Sequence, residues 1–213
     1  MLKALTIREP WASLICMPTT ANPSIPIKAC EIRTWKPPQG LKTFCVHSSQ
    51  NDATLAVDLN ATVNKFNDAW YAFENPDCVP CTPGKDFFYA SVVVGIVDII
   101  GFMEIDPKWK KKEKLSRIVD AGYDPYYAEW AEPPYAWMLA NPRRLEQGIY
   151  CPGKLNFWYL PDSVEKHVLS TPFINSDGKP ESFQPLPLKP SVLAKTLGKP
   201  NYAEITRKAA AKL

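Results

Sequence analysis

Glycine is scarce in this chain and histidine scarcer still. Across 213 residues there are 9 glycines against 22 prolines, and 2 histidines. That balance excludes flexible linkers and predicts long, stiffened connections between strands. His47 has no second histidine near it in the sequence, which weakens a paired acid and base. A large charge of one sign is also missing. The net charge of +3 is too small to diagnose a nucleic-acid partner, so local clustering of lysine and arginine must decide that question. No charged-then-apolar leader is visible, because "MLKALTIREPW" alternates as a strand does; a cytoplasmic protein is the expectation. Cys16, Cys30, Cys45, Cys78, Cys81 and Cys151 would then stay reduced and pack mostly as small hydrophobes. The most apolar stretch, Phe87 to Met103, approaches the length of a membrane span, but it carries Asp98 and many β-branched residues. It reads as buried strand, with no membrane partner.

What is present is globular. Hydrophobic residues make up 46% of the chain and aromatics 12%, enough for one sizeable core. Leu2 to Arg8 reads as a first strand, and "EPWASLI" as a short helix with Trp11, Leu14 and Ile15 on one side. After the proline-rich loop from Met17 to Pro26, "ACEIRTW" and "LKTFCVHSS" read as two strands joined as a hairpin across Pro37, Pro38 and Gly40. Leu59, Val63, Phe66, Trp70 and Phe73 fall on one helical stripe capped by Asn51 or Asp52. The strand from Phe87 follows, with Gly95 a candidate bulge. Residues 106–134 read as an insertion, basic first, then acidic and aromatic; "YAWMLANPRRLE" and "GKLNFWYLP" read as two closing strands. Residues 162–213 read as a proline- and lysine-containing extension ending in a helix-favouring "NYAEITRKAAAKL".

The stretch "PIKACEIRTW" carries the densest chemistry. On a strand, Glu31, Arg33 and Trp35 share one face, and Cys30, Ile32 and Thr34 share the other, the apolar side expected to face the core. Lys28 lies three residues before Glu31, where a turn after Pro26 can curl its ammonium back to the carboxylate. A carboxylate between two cations can aim both toward a phosphate or a base edge, and Trp35 can add a stacking surface. The plainer alternative is a solvated cross-strand ion pair with Trp35 capping one end of the sheet. Lys108, Lys110, Lys111 and Lys112, with Trp109 among them, form a basic run that can track a phosphate backbone or merely face water. Cys78 and Cys81 have zinc-knuckle spacing, but no second close pair completes four ligands, so neither metal nor cofactor is expected.

Several blocks together resemble the ASCH domain family: Arg8, Pro10 and Trp11; Lys28, Glu31 and Arg33; His47 and Ser48; Trp137, Leu139 and Pro142; and Gly153, Lys154 and Trp158. They span residues 3–161, and their order makes the resemblance fairly specific. It implies an α+β, PUA-like bent β-barrel with flanking helices over residues 1–161. It further implies a cleft that binds RNA, single-stranded nucleic acid or a modified nucleotide, walled by the Lys-x-x-Glu-x-Arg strand. The residues carried over as ligand-binding are Arg8, Trp11, Lys28, Glu31, Arg33, Trp35, His47 and Ser48. Some members are similar to amidohydrolases acting on acylated cytidine, through a lysine and a threonine three residues later. Here that later position is Glu31, so the nucleophile is absent from its place. Lys28 and Glu31 would be catalytic only if the chain is such a hydrolase, or a ribonuclease using His47 as acid or base. A monomeric binding module is the expectation, and hydrolysis the alternative.

Overall fold

The computed structural model describes residues 1–9, 11–19, 22–49, 91–174 and, for the backbone alone, 180–181. The chain divides into two units, Met1–Phe183 and Gln184–Leu213. The helix expected from Asn51, the Cys78 and Cys81 pair and the C-terminal helix lie outside the described residues.

Strand β1 (Lys3–Ile7) leads into helix α1 (Trp11–Cys16), then β2 (Cys30–Arg33), β3 (Thr43–Ser48) and the long β4 (Val92–Glu104). Helices α2 (Lys111–Asp120) and α3 (Tyr127–Trp130) precede β5 (Tyr135–Tyr150) and β6 (Phe157–Tyr159), and α4 (Asp162–Ser170), β7 (Phe173–Ile174) and β8 (Pro180–Glu181) follow. The strands form one mixed sheet in the order β6-β1-β3-β4-β5-β7-β8, with β2 added on β5. The result is an α+β structure whose curled sheet makes a half-barrel.

The curl has a local cause. The β4–β5 ladder shifts register between Val93 and Gly95, between Ile96 and Asp98, and between Ile99 and Gly101. Each irregularity adds residues on one strand and bends it. At Gly95 a Cβ would run into the Arg143 carbonyl and sit 2.7 Å from Cys16 Sγ, so only glycine lets α1 and β5 approach the bulge. The bend also lets β5 serve two neighbours on its far side, β2 along Tyr135–Met138 and β7 at Arg144 and Leu145.

The expected hairpin does not form. β2 pairs with β5, whereas β3 runs parallel to β1 and antiparallel to β4. Pro37 and Pro38 have no N–H to extend a ladder, and Trp35 docks on Trp137 and draws the chain across the sheet. Gly40, at φ +78°, turns the chain there, but between strands that lie apart. β6 likewise pairs with β1, not with β5.

Burial on β5 also departs from simple alternation: Ala136, Trp137, Met138, Leu139 and Ala140 are all fully buried. Trp137 and Leu139 face the half-barrel interior with Phe44, Val46 and α1. Ala136 and Met138 face the other way, where Ile118, Tyr127 and Trp130 of residues 106–134 cover them together with Ile27, Ala29 and Cys30. The segment read as an insertion is therefore part of a core. A third cluster joins Ala4, Cys45, Ile96 and Trp158 to Val168 of α4 and Phe173 of β7, so residues 162–174 pack against the sheet.

Candidate functional site

Lys28 enters β2 from a loop folded back on α1. Ile27 N–H donates to the Met17 carbonyl at 2.8 Å and Lys28 N–H to the Leu14 carbonyl at 3.2 Å. This brings the Lys28 ammonium over the strand, where it donates to Glu31 Oε2 at 2.9 Å and to the Cys30 carbonyl at 2.5 Å. Arg33 Nε lies 2.9 Å from the other oxygen, Glu31 Oε1. Its N–H is not aimed at that oxygen, so the contact is one of charge rather than a hydrogen bond. Arg33 Nη2 donates to the Thr6 carbonyl at 3.3 Å and ties the cluster to β1. One carboxylate thus holds two cations, one on each oxygen.

The two cations differ in access. The Lys28 side chain is 10% exposed and that of Glu31 6%, whereas that of Arg33 is 27% exposed. Lys28 Nζ lies 6.0 Å from the Trp11 ring centroid, and Trp11 meets Trp130 edge-on at 6.1 Å. An exposed ion pair contributes about 0–1 kcal/mol, but stripping one partner from a buried one costs about 3–5 kcal/mol. Lys28 and Glu31 therefore hold the local structure, and Arg33 is the member that meets solvent.

The sequence matches no protein-family model and no curated protein. The site accordingly rests on geometry and on the resemblance of its motifs.

The other expected residues do not all join this cluster. Trp35 is half-buried, edge-on to Trp137 at 4.7 Å and to Phe157 at 5.8 Å, and its carbonyl accepts from Trp137 Nε1 at 3.0 Å. It caps the half-barrel interior. Arg8 is exposed and forms no ion pair among the described residues. His47 is 1% exposed. Its Nε2 lies 2.7 Å from the Cys151 carbonyl, which can only accept, so Nε2 carries a proton, and Nδ1 has no hydrogen-bond partner among the described residues. Burial pushes its pKa down, against the pull of that hydrogen bond. Gly153 presses on the ring: a Cβ there would run into Cε1 and lie 2.9 Å from Nδ1. The His47 ring lies buried, edge-on to Trp158 at 5.4 Å. Asp98 accepts from Thr43, Asn141 and Arg143, which makes it a satisfied structural aspartate. Lys108, Lys110, Lys111 and Lys112 are all exposed, around the start of α2. Among the described residues no group of three or more His, Cys, Asp or Glu side chains is placed to hold a metal.

Glu9 escapes a sequence reading. Its carboxyl accepts from Ser13 N–H and Ser13 Oγ, each at 3.1 Å, and from the Ser48 hydroxyl. Burial nevertheless pushes its pKa up to about 7, opposed by those bonds and by the charge of Arg144. Ser48, expected at the ligand, donates to this half-buried carboxyl. The available signal was an acidic residue just before a helix, four positions ahead of a serine.

Proposed function

We propose that this chain is a nucleic-acid-binding module of PUA-like, ASCH type, taking RNA, another single-stranded nucleic acid or a modified nucleotide at Arg33. The observation that carries this reading is the sharing of Glu31: two cations on one carboxylate leave an excess positive charge, and the more exposed cation is an arginine. Its guanidinium has donors beyond the one given to Thr6, in the planar fork that suits a phosphate. Lys28 and Glu31 orient it from behind.

The lysines around α2 support an extended footprint. Lys110 stands at the N-cap with no side-chain cap bond, and Lys111 and Lys112 open the helix. Cations there oppose the helix dipole at about 0.3–1 kcal/mol each, so the fold alone does not favour them. A polyanion does. Hydrolysis is the weaker reading, because Glu31 stands where the nucleophilic hydroxyl would be and is engaged by Lys28 and Arg33.

The test is binding of labelled single-stranded RNA and DNA across a salt series. The wild type is expected to bind with affinity falling steeply as salt rises, and Arg33→Ala to weaken it and lower the salt slope by about 1. Binding indifferent to salt and to Arg33→Ala would end the reading. Turnover of acylated cytidine, abolished by Glu31→Gln, would reverse the ranking of binder over hydrolase.

A further inference from the structure

Residues opposite each other in an antiparallel ladder point to the same face. Across β2, β5 and β4 this puts two rows side by side: Glu31, Trp137 and Phe102 in one, Arg33, Tyr135 and Glu104 in the other. The first row runs from a buried carboxylate through a fully buried indole to a phenyl ring 40% exposed. Phe102 meets Tyr135 edge-on at 6.4 Å, and the Lys36 ammonium lies 5.8 Å from one ring centroid and 5.7 Å from the other.

We propose that Phe102, Tyr135 and Lys36 form a second subsite, which stacks one nucleobase of a single-stranded nucleic acid whose phosphate is held at Arg33. The inference rests on the reading of Arg33 given above. A lone exposed phenylalanine is ordinary, but this one belongs to a pair of rings under a cation, and the other ring, Tyr135, is in register with Arg33. Strands lie about 4.8 Å apart, so Tyr135 is one spacing and Phe102 two spacings from β2, within the span of adjoining nucleotides. Stacking of a base on an aromatic outweighs an exposed cation–π contact, so an incoming base displaces Lys36 from the rings. The long, exposed Lys36 side chain then swings its ammonium to the adjoining phosphate. Glu104, beside Tyr135, repels phosphate from the β4 side and directs the backbone toward Lys36 and Arg33.

The probe is a labelled oligonucleotide of about ten residues, as RNA and as DNA, with an abasic counterpart. Lys36 is exposed and Phe102 partly so, so Lys36→Ala and Phe102→Trp should melt close to the wild type and Phe102→Ala, which loses some apolar burial, should still unfold cooperatively at a somewhat lower temperature. Phe102→Ala is expected to weaken binding about tenfold at an unchanged salt slope, and Phe102→Trp to retain it. Lys36→Ala should lower the salt slope by about 1. Against the abasic probe, Phe102→Ala should have no effect. If Phe102→Ala and Lys36→Ala bind as the wild type does while Arg33→Ala is weakened, the second subsite is wrong and the Arg33 site stands. A wild type that binds neither RNA nor DNA removes both.

Discussion

Glu9 shows how one residue sets a pH dependence. Its carboxyl is pushed up to about 7 in the fold, against an ordinary value of 4.5. Between those two values the folded chain keeps a proton that the unfolded chain releases. Stability from this group is therefore full below the unfolded value and falls as pH rises toward 7. Glu9→Gln keeps the shape and most hydrogen bonds but removes the ionisation. Chemical denaturation from pH 4.5 to 8 should show the wild type losing about 1–3 kcal/mol that the variant retains, with the gap widest above pH 7. Parallel profiles would mean the carboxyl is not confined as described. At the same scale, Lys28, Glu31 and Arg33 were legible as a trio because their spacing is local. Their unequal exposure was not, since it depends on Trp11, β1 and the helices beyond β2.

Among the elements, α2 carries the clearest conflict between local preference and use. Its N-cap is Lys110, in extended backbone with no side-chain bond to the first turn. Lys110→Ser should stabilise the protein by about 0.5–2 kcal/mol, because a serine oxygen caps a free N–H and a cation leaves the positive end of the dipole. If the basic face follows a nucleic-acid backbone, the same variant should bind it with a salt slope lower by about 1. Denaturant melts and a salt titration on one preparation measure both; a variant that gains stability with unchanged binding would restrict the footprint to Arg33. The strands teach a related lesson. β1, α1 and β5 were readable from apolar spacing, and the Gly95 bulge from a glycine inside a strand pattern. The β2–β3 hairpin was not, because turn residues mark a change of direction without specifying which strand the chain meets next.

For the whole molecule, residues 106–134 decide whether basic charge is an appendage or part of the frame. Ile118, Tyr127 and Trp130 are buried against Ile27, Cys30 and Met138, Tyr126 Oη donates to the Ile27 carbonyl at 2.6 Å, and Tyr127 Oη to that of Leu139 at 2.6 Å. Replacing the segment by a short loop would uncover the back of β2 and β5. The expected outcome is loss of cooperative thermal unfolding, not a folded protein with weaker binding. A cooperatively melting deletion variant would show that the segment is peripheral after all.

The amino-acid order by itself determined a strand-rich chain and a Lys-Glu-Arg cluster entering a strand after prolines. These follow from periodicity and near-neighbour chemistry. Only the tertiary structure decided that β2 joins β5, that His47 lies against Trp158 and Ser48 against Glu9, and that Arg33 lines up with Tyr135 while Glu31 lines up with Trp137 and Phe102. The reason is physical: a side chain's exposure and charge environment are set by whichever distant strand or helix comes to lie against it, and contact between residues about a hundred positions apart leaves no local mark.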